Sequence, residues 1–310
     1  YKRNASKTGL FNRLPYIVVS RSSEELMLDL QKYEHPVMFE GLHTCYFLND
    51  ERLQTRKKLV RTHNIEHDYY ENLASVERNI FKRYYFHNEA EKLKAFERSL
   101  DSSDCIFTIS PNDQDYFSEQ YGHAEYIPAF HPNEKVTSTT GNGTFALYHG
   151  NLSIGENNEA ALYLIREVFN DIDHKLIIAG SKPSQALRRE ASKYSNVKIM
   201  GNISTEEIHR LIAEAHINIL PTFQPTGIKL KLLSALFSGR HCITNDIMTD
   251  NTGLDTLCLT GNTSESLKDH VLNIFEVPFT EEDIMERRRV LDDQFSNKKN
   301  AEVLSKKIFS

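Results

Sequence analysis

The sequence predicts two doubly wound α/β domains joined by a short linker. Three observations carry this. Apolar runs of four or five residues alternate with helix-patterned segments almost without exception. These runs lack the polar alternation of a half-exposed sheet, so they predict parallel strands covered on both faces. The chain, at 310 residues, is longer than one ordinary core holds, and its alternation breaks at Asn133–Gly143 (NEKVTSTTGNG), a polar stretch ending in Gly141 and Gly143, before restarting.

Tyr16–Ser20 (YIVVS) is expected to be the first strand. The next helix, Ser22–Tyr33, carries Ser22 and Glu25 at capping-box spacing ahead of Leu26, Met27 and Leu30. Pro36–Glu40 and Lys58–Arg61 are short strands, and a charged helix runs from about Asp68 to Leu100. Cys105–Ile109 is a buried strand, after which Ser110 and Pro111 open a helix. Beyond the linker, the strands are Phe145–His149, Lys175–Ala179, Val197–Met200, Ile217–Leu220 and His241–Thr244. Ser204 and Glu207 head an amphipathic helix with Ile208, Leu211, Ile212 and Ala215 on one face. The domain expectation is residues 1–134, a linker at 135–143, a second domain at 144–278, and helices at 279–310 that return to the first domain. A polar, basic lead-in and the absence of an initiator Met suggest that the first domain begins before Tyr1.

Composition narrows the functional classes. Apolar residues at 39% and charged residues at 26% fit a globular protein. A net charge of −6 gives no reason to expect nucleic acid as a partner. Cys45, Cys105, Cys242 and Cys258 are far apart without metal-type spacing, and three of them sit in apolar runs, as reduced cytoplasmic thiols do. No apolar run approaches the ~20 residues of a membrane span. The basic runs Lys2-Arg3 and Arg56-Lys57-Lys58 read either as solvated faces or as weak contacts to anionic lipid at the inner face of a membrane. Arg287-Arg288-Arg289 reads as a solvated face.

In open α/β sheets, ligands bind beyond the carboxyl ends of the strands. There the first half offers His43 and the group His63-Asn64-Ile65-Glu66. The second offers Gly150-Asn151, Gly180-Ser181, Gly201-Asn202 and the stretch Pro221–Gly239 (PTFQPTGIKLKLLSALFSG). In that stretch Thr226 and Gly227 precede a helix whose first turn holds Lys229 and Lys231. A helix dipole disfavours cations there. Two readings fit: a diphosphate binds at the turn and removes the conflict, or both lysines are solvated. His43 and His63 are the catalytic candidates, although a histidine after a strand also serves local backbone groups. Glu66 reads as a helix N-terminal charge. Asn151 and Asn202 reach a ligand or simply form turns.

The ordered set Phe145–Leu152 (FALYHGNL), Lys175–Gly180, Val197–Gly201, Ser204–Leu211, Ile217–Pro221 and Gly227–Gly239 resembles the donor domain of GT-B glycosyltransferases, in the large retaining nucleotide-sugar family. Arg61–Glu66 and Cys105–Pro111 resemble its acceptor domain. The resemblance implies the GT-B architecture, two Rossmann-like doubly wound domains facing each other across a cleft. It implies transfer of a sugar from a nucleoside-diphosphate sugar to a glycan or lipid-linked acceptor in the cytoplasm. Retention would follow from front-face attack, with the leaving phosphate deprotonating the acceptor. With no Asp-x-Asp motif in a metal-binding context, neither metal nor cofactor is expected.

The departures from the family fall on its carboxylates and cations. Thr226 and Ser234 stand where the family has two glutamates, Asn151 stands for its arginine, and Glu156-Asn157 occupy the region of its lysine. Lys229 and Lys231 are expected to take over diphosphate binding, with Gly150, Asn151, Gly180, Asn202, Thr226, Gly227 and Ser234 around the donor. A nucleotide-sugar 2-epimerase of the same architecture, or a non-catalytic nucleotide-sugar-binding homologue, remain alternatives.

Overall fold

The computed structural model describes residues 1, 3, 12–77, 79–223 and 230–310. They pack as two compact units, one made of the residues up to Pro128 with Lys298–Ser310, the other lying between Ala129 and Asn297.

The first unit is built on four parallel strands in the order β1 (Val37–Glu40), β2 (Lys58–Arg61), β3 (Cys105–Thr108), β4 (Ala124–Tyr126). Tyr16–Ser20 is not among them. Tyr16–Val19 is a short helix, α1, because Pro15 sets its start and the buried Glu89 carboxylate accepts from Tyr16 N at 2.6 Å. Helix α2 (Glu24–Leu30) is capped by Ser23, not Ser22. The expected long helix is two, α3 (Glu66–Val76) and α4 (Ile80–Glu97), the second capped by Asn79 Oδ1. Glu97, itself buried, accepts from Tyr116 Oη at 2.7 Å, Tyr121 Oη at 3.2 Å and His67 Nδ1 at 3.1 Å. These bonds tie α4 to α3 and to α5 (Pro111–Tyr121) without an uncompensated buried charge.

The second unit holds six parallel strands in the order β10-β9-β8-β5-β6-β7. They are β5 (Ala146–His149), β6 (Leu176–Gly180), β7 (Val197–Gly201), β8 (Ile217–Ile219), β9 (His241–Thr244) and β10 (Leu259–Thr260). Between and after them come α6 (Gly155–Tyr163), α7 (Gln185–Ala191), α8 (Thr205–Glu214), α9 (Leu230–Ser238), α10 (Asp246–Thr249), α11 (Ser264–Ile274) and α12 (Glu281–Gln294). Strands β5, β6 and β8 are buried along their whole length, which accounts for their unbroken apolar pattern. Helix α8 is capped by Ser204 and buries Leu211 and Ile212, each worth roughly 1.5–3 kcal/mol.

The return to the first unit starts later than residue 279. Helix α12 stays with the second unit because the Arg287 guanidinium is buried, donating to Ser138 Oγ and Leu236 O at 3.0 Å and also to Gly239 O and Arg240 O. Helix α13 (Asn297–Phe309) places Leu304 and Ile308 against Leu59, Phe107 and Ile127 of the first unit.

Candidate functional site

In the second unit, the chain winds from β5 outward through β6 and β7, then returns to the other side of β5 with β8. The crevice at such a reversal is where open α/β sheets take ligands. Gly150 and Asn151 follow β5 there. Asn151 Oδ1 accepts from Ser153 N at 3.1 Å, Ser153 Oγ at 2.7 Å and Ser181 Oγ at 2.9 Å, so it holds the turn together. Gly180 ends β6 so close to the neighbouring turn that a β-carbon would lie 1.8 Å from Gly150 O. No other residue fits without moving one backbone.

Lys231 enters from α9. Its Nζ donates to Asn157 Oδ1 at 3.1 Å and lies 5.3 Å from the Tyr148 ring centroid. Asn157 Nδ2 donates to Asn151 O at 3.1 Å, which fixes the amide's orientation. Thr222, after β8, hydrogen-bonds the Glu156 carboxylate through its hydroxyl, and its N donates to Asn245 Oδ1 at 3.0 Å. His149, the last residue of β5, is buried with Nε2 lacking a hydrogen-bond partner. Burial, reinforced by Lys231 and His209, pulls its pKa down to about 3, so it is neutral. Lys231, Asn157, Gly150 and Asn151 therefore converge at the strand reversal.

In the first unit the carboxyl ends of β1 and β2 carry two imidazole–carboxylate pairs. His63 Nε2 lies 3.1 Å from Glu40 Oε2, and His43 Nδ1 lies 3.2 Å from Glu66 Oε1. The two rings stand edge to face with centroids 6.4 Å apart. Arg61 Nη1 is 3.8 Å from Glu40 Oε1. His63, opposed by burial and helped by Arg61, holds the Glu40 carboxyl below its ordinary range. Gly41 lets His43 fold back: its φ is +88°, and a β-carbon would meet the His43 ring at 2.5 Å.

Residues 144–276 match the family model described as glycosyl transferases group 1. That match covers most of the second unit. A Klebsiella pneumoniae protein described as an uncharacterized 44.6 kDa protein in the cps region is 29% identical over 252 residues, 77% of this chain and 64% of that protein. The chain thus spans 64% of the length of that curated relative. Its fold is also that of solved glycosyltransferase structures. The GtfA/B complex matches at a TM-score of 0.62 and 15% identity, over 92% of this chain and 60% of that one. A UDP-forming alpha,alpha-trehalose-phosphate synthase from Burkholderia vietnamiensis matches at 0.64 and 8% identity, over 91% and 73%. TarM matches at 0.62 and 13% identity, over 88% and 54%.

Within this second unit, the predicted positions sort as follows. Gly150, Asn151, Gly180 and Lys231 cluster at the strand reversal. Ser234 lies one turn along α9 from Lys231, half-buried. Asn202, at φ +57°, ties its turn to the one after β6, with Oδ1 accepting from Lys182 N at 2.8 Å, so its amide oxygen is engaged within the protein. Thr226, Gly227 and Lys229 lie outside the described residues. Asn157, Thr222, Asn245 and His149 were not singled out as ligand-facing. A polar residue in the first turn of α6 facing the loop after β8 is the signal that finds the first two.

In the first unit the sequence pointed to His43 and His63 but not to Glu40, and Glu66 is more than a helix N-terminal charge. The basic run Arg56-Lys57-Lys58 is engaged within the first unit. Arg56 donates to Leu30 O at 2.8 Å and to His35 O, Lys57 Nζ to Lys307 O at 2.6 Å, and the buried Lys58 Nζ to Leu48 O at 3.1 Å. Arg287 likewise leaves the expected solvated face for the core. Among the described residues, no helix is long and apolar enough to cross a membrane.

Proposed function

We propose that this chain carries out, as the whole or part of an enzyme, transfer of a sugar from a nucleoside-diphosphate sugar to a glycan or lipid-linked acceptor. The observation that carries the reading is Lys231 held against Asn157 beside the Gly150-Asn151 turn, at the strand reversal of a glycosyl transferases group 1 unit. A diphosphate leaving as a dianion needs a cation placed before the reaction starts, and Lys231 supplies it. TarM has been solved with UDP and alpha-GlcNAc-glycerol, and the Klebsiella relative is described by its place in the cps region. Both support a nucleotide donor and a glycan-type acceptor here.

Lys231 takes the negative charge that develops on the β-phosphate, and Asn157 keeps its ammonium aimed at the turn. Neutral His149, buried beside Lys231, offers a polar wall without adding a second charge. We assign retention of anomeric configuration, with the leaving phosphate taking the acceptor proton, and no resident metal. His63 and His43 are the groups of the first unit proposed to meet the sugar, each held by its carboxylate. The free thiols support a reducing, cytoplasmic setting.

A panel of UDP- and GDP-sugars tests this, with free nucleotide, epimerised sugar and thermal shift read in parallel. Nucleotide release that depends on an added acceptor supports the proposal. Epimer formation without transfer selects a 2-epimerase. Thermal shift without turnover selects a binding protein, a reading favoured by Ser234 in place of a glutamate.

A further inference from the structure

Cys242 lies on β9, and Cys258 immediately precedes β10, the parallel strand beside it. Ile243 pairs with Leu259 and Thr244 with Thr260, so one step back along both chains sets Cys242 opposite Cys258. Adjacent strands lie about 4.8 Å apart, inside the roughly 4.4–6.8 Å between α-carbons that a disulfide spans. Both cysteines line a cavity of about 410 Å³ with His241, Phe279, Asp283 and Arg287. Cys242 is 3% exposed, whereas Cys258 is only partly buried and meets the cavity first. The buried Arg287 stacks on Phe279, its Cζ 4.6 Å from the ring centroid, and its charge acts on both sulfurs. Strand β10 is the sheet edge and only two residues long, so it adjusts at little cost. None of this chemistry is used by the strand-reversal site.

We propose that Cys242 and Cys258 form a dithiol site for thiol–disulfide exchange, which takes low-molecular-weight disulfides such as oxidised glutathione through this cavity. The Cys258 thiolate attacks one sulfur of the incoming disulfide, whose other half leaves as a thiolate. The Cys242 thiolate then attacks Cys258 Sγ and displaces the second small thiolate. One small disulfide is reduced to two thiols, the protein pair is oxidised, and the two protein thiol protons end on the released thiols. Arg287 favours the thiolates. The neighbouring Cys242 sulfur and burial push the Cys258 thiol well up, so exchange is slow at neutral pH and quickens as pH rises.

The test incubates the folded chain with excess oxidised glutathione at pH about 8, followed by intact mass and peptide mapping. The expected product has lost two hydrogens and carries a Cys242–Cys258 cross-link, with no lasting adduct. Cys242→Ser should hold glutathione on Cys258, and Cys258→Ser should take up none on Cys242. Melting curves check that the variants fold, and the map of the unsubstituted chain decides alone if they do not. A lasting glutathione adduct on Cys258, a cross-link through Cys45 or Cys105, or no reaction while the denatured chain oxidises fully would each overturn the proposal. The result is independent of glycosyl transfer.

Discussion

Lys231 Nζ donates to Asn157 Oδ1 at 3.1 Å, joining α9 to the first turn of α6 across the strand reversal of the second unit. The sequence places a cation in the first turn of a helix, where the dipole disfavours it. In the structure an amide oxygen and the Tyr148 ring face lie against the ammonium and relieve part of that conflict.

Lys231→Ala should therefore weaken UDP or GDP binding about tenfold to a hundredfold, the value of a charge-assisted contact of roughly 1.5–3 kcal/mol. Asn157→Ala should cost less, because it frees the ammonium without removing it. Calorimetry on both variants checks the ranking. Unchanged affinity in Lys231→Ala would remove the lysine from the site.

Glu40→Gln should lower kcat more than it raises KM for the donor if His63 meets the sugar. The amide still reaches His63 but removes the negative charge that holds the ring in place. His63→Ala should lower kcat further while nucleotide affinity stays the same. A variant pair that changes nucleotide affinity instead would place His63 elsewhere.

Gly180→Ala puts a β-carbon 1.8 Å from Gly150 O. One backbone has to retreat, and overpacking of this kind costs roughly 1–3 kcal/mol. Chemical denaturation should show that loss, with nucleotide binding weakened in step because Gly150 belongs to the same turn. Full stability would mean that the two turns are further apart than found here.

Where the sequence was readable, the cause was local. Strands β5 and β6 are buried on both faces, so their apolar runs end sharply at His149 and Gly180. Ser204 caps α8 through a contact three residues away, which any local reading finds. Tyr16–Val19 failed because its deciding partner, Glu89, lies 73 residues on. β4 escaped because Ala124–Tyr126 is half-buried and carries no apolar run. The candidate sites divide in the same way. Residues that follow strands could be named from position, whereas Glu40 and Asn157 gain meaning only from the side chains that the fold brings to them.

The second unit should lose stability as pH falls below about 6.5, because several of its histidines are held neutral. His216 is fully buried, accepting from Gly143 N at 3.0 Å through Nδ1 and donating to Ile274 O at 2.8 Å through Nε2. His131 donates to Phe295 O at 2.8 Å and His241 to Val277 O at 3.0 Å. Burial lowers the pKa of all three, as it does for His149, whose value falls to about 3. The sign follows from linkage. A histidine with a depressed folded pKa binds fewer protons in the fold than in the unfolded chain, so its contribution is intact above about pH 6.5 and is lost as pH falls toward the folded value. For His149 alone, at about 1.36 kcal/mol per pKa unit, the loss between pH 8 and pH 5 is about 2 kcal/mol. That corresponds to a fall of roughly 4–8 °C in melting temperature for a unit of this size. His149→Gln should flatten this slope and leave the smaller contributions of the other three. A melting temperature that stays level from pH 8 to pH 5 would mean that these imidazoles are not held neutral by the fold.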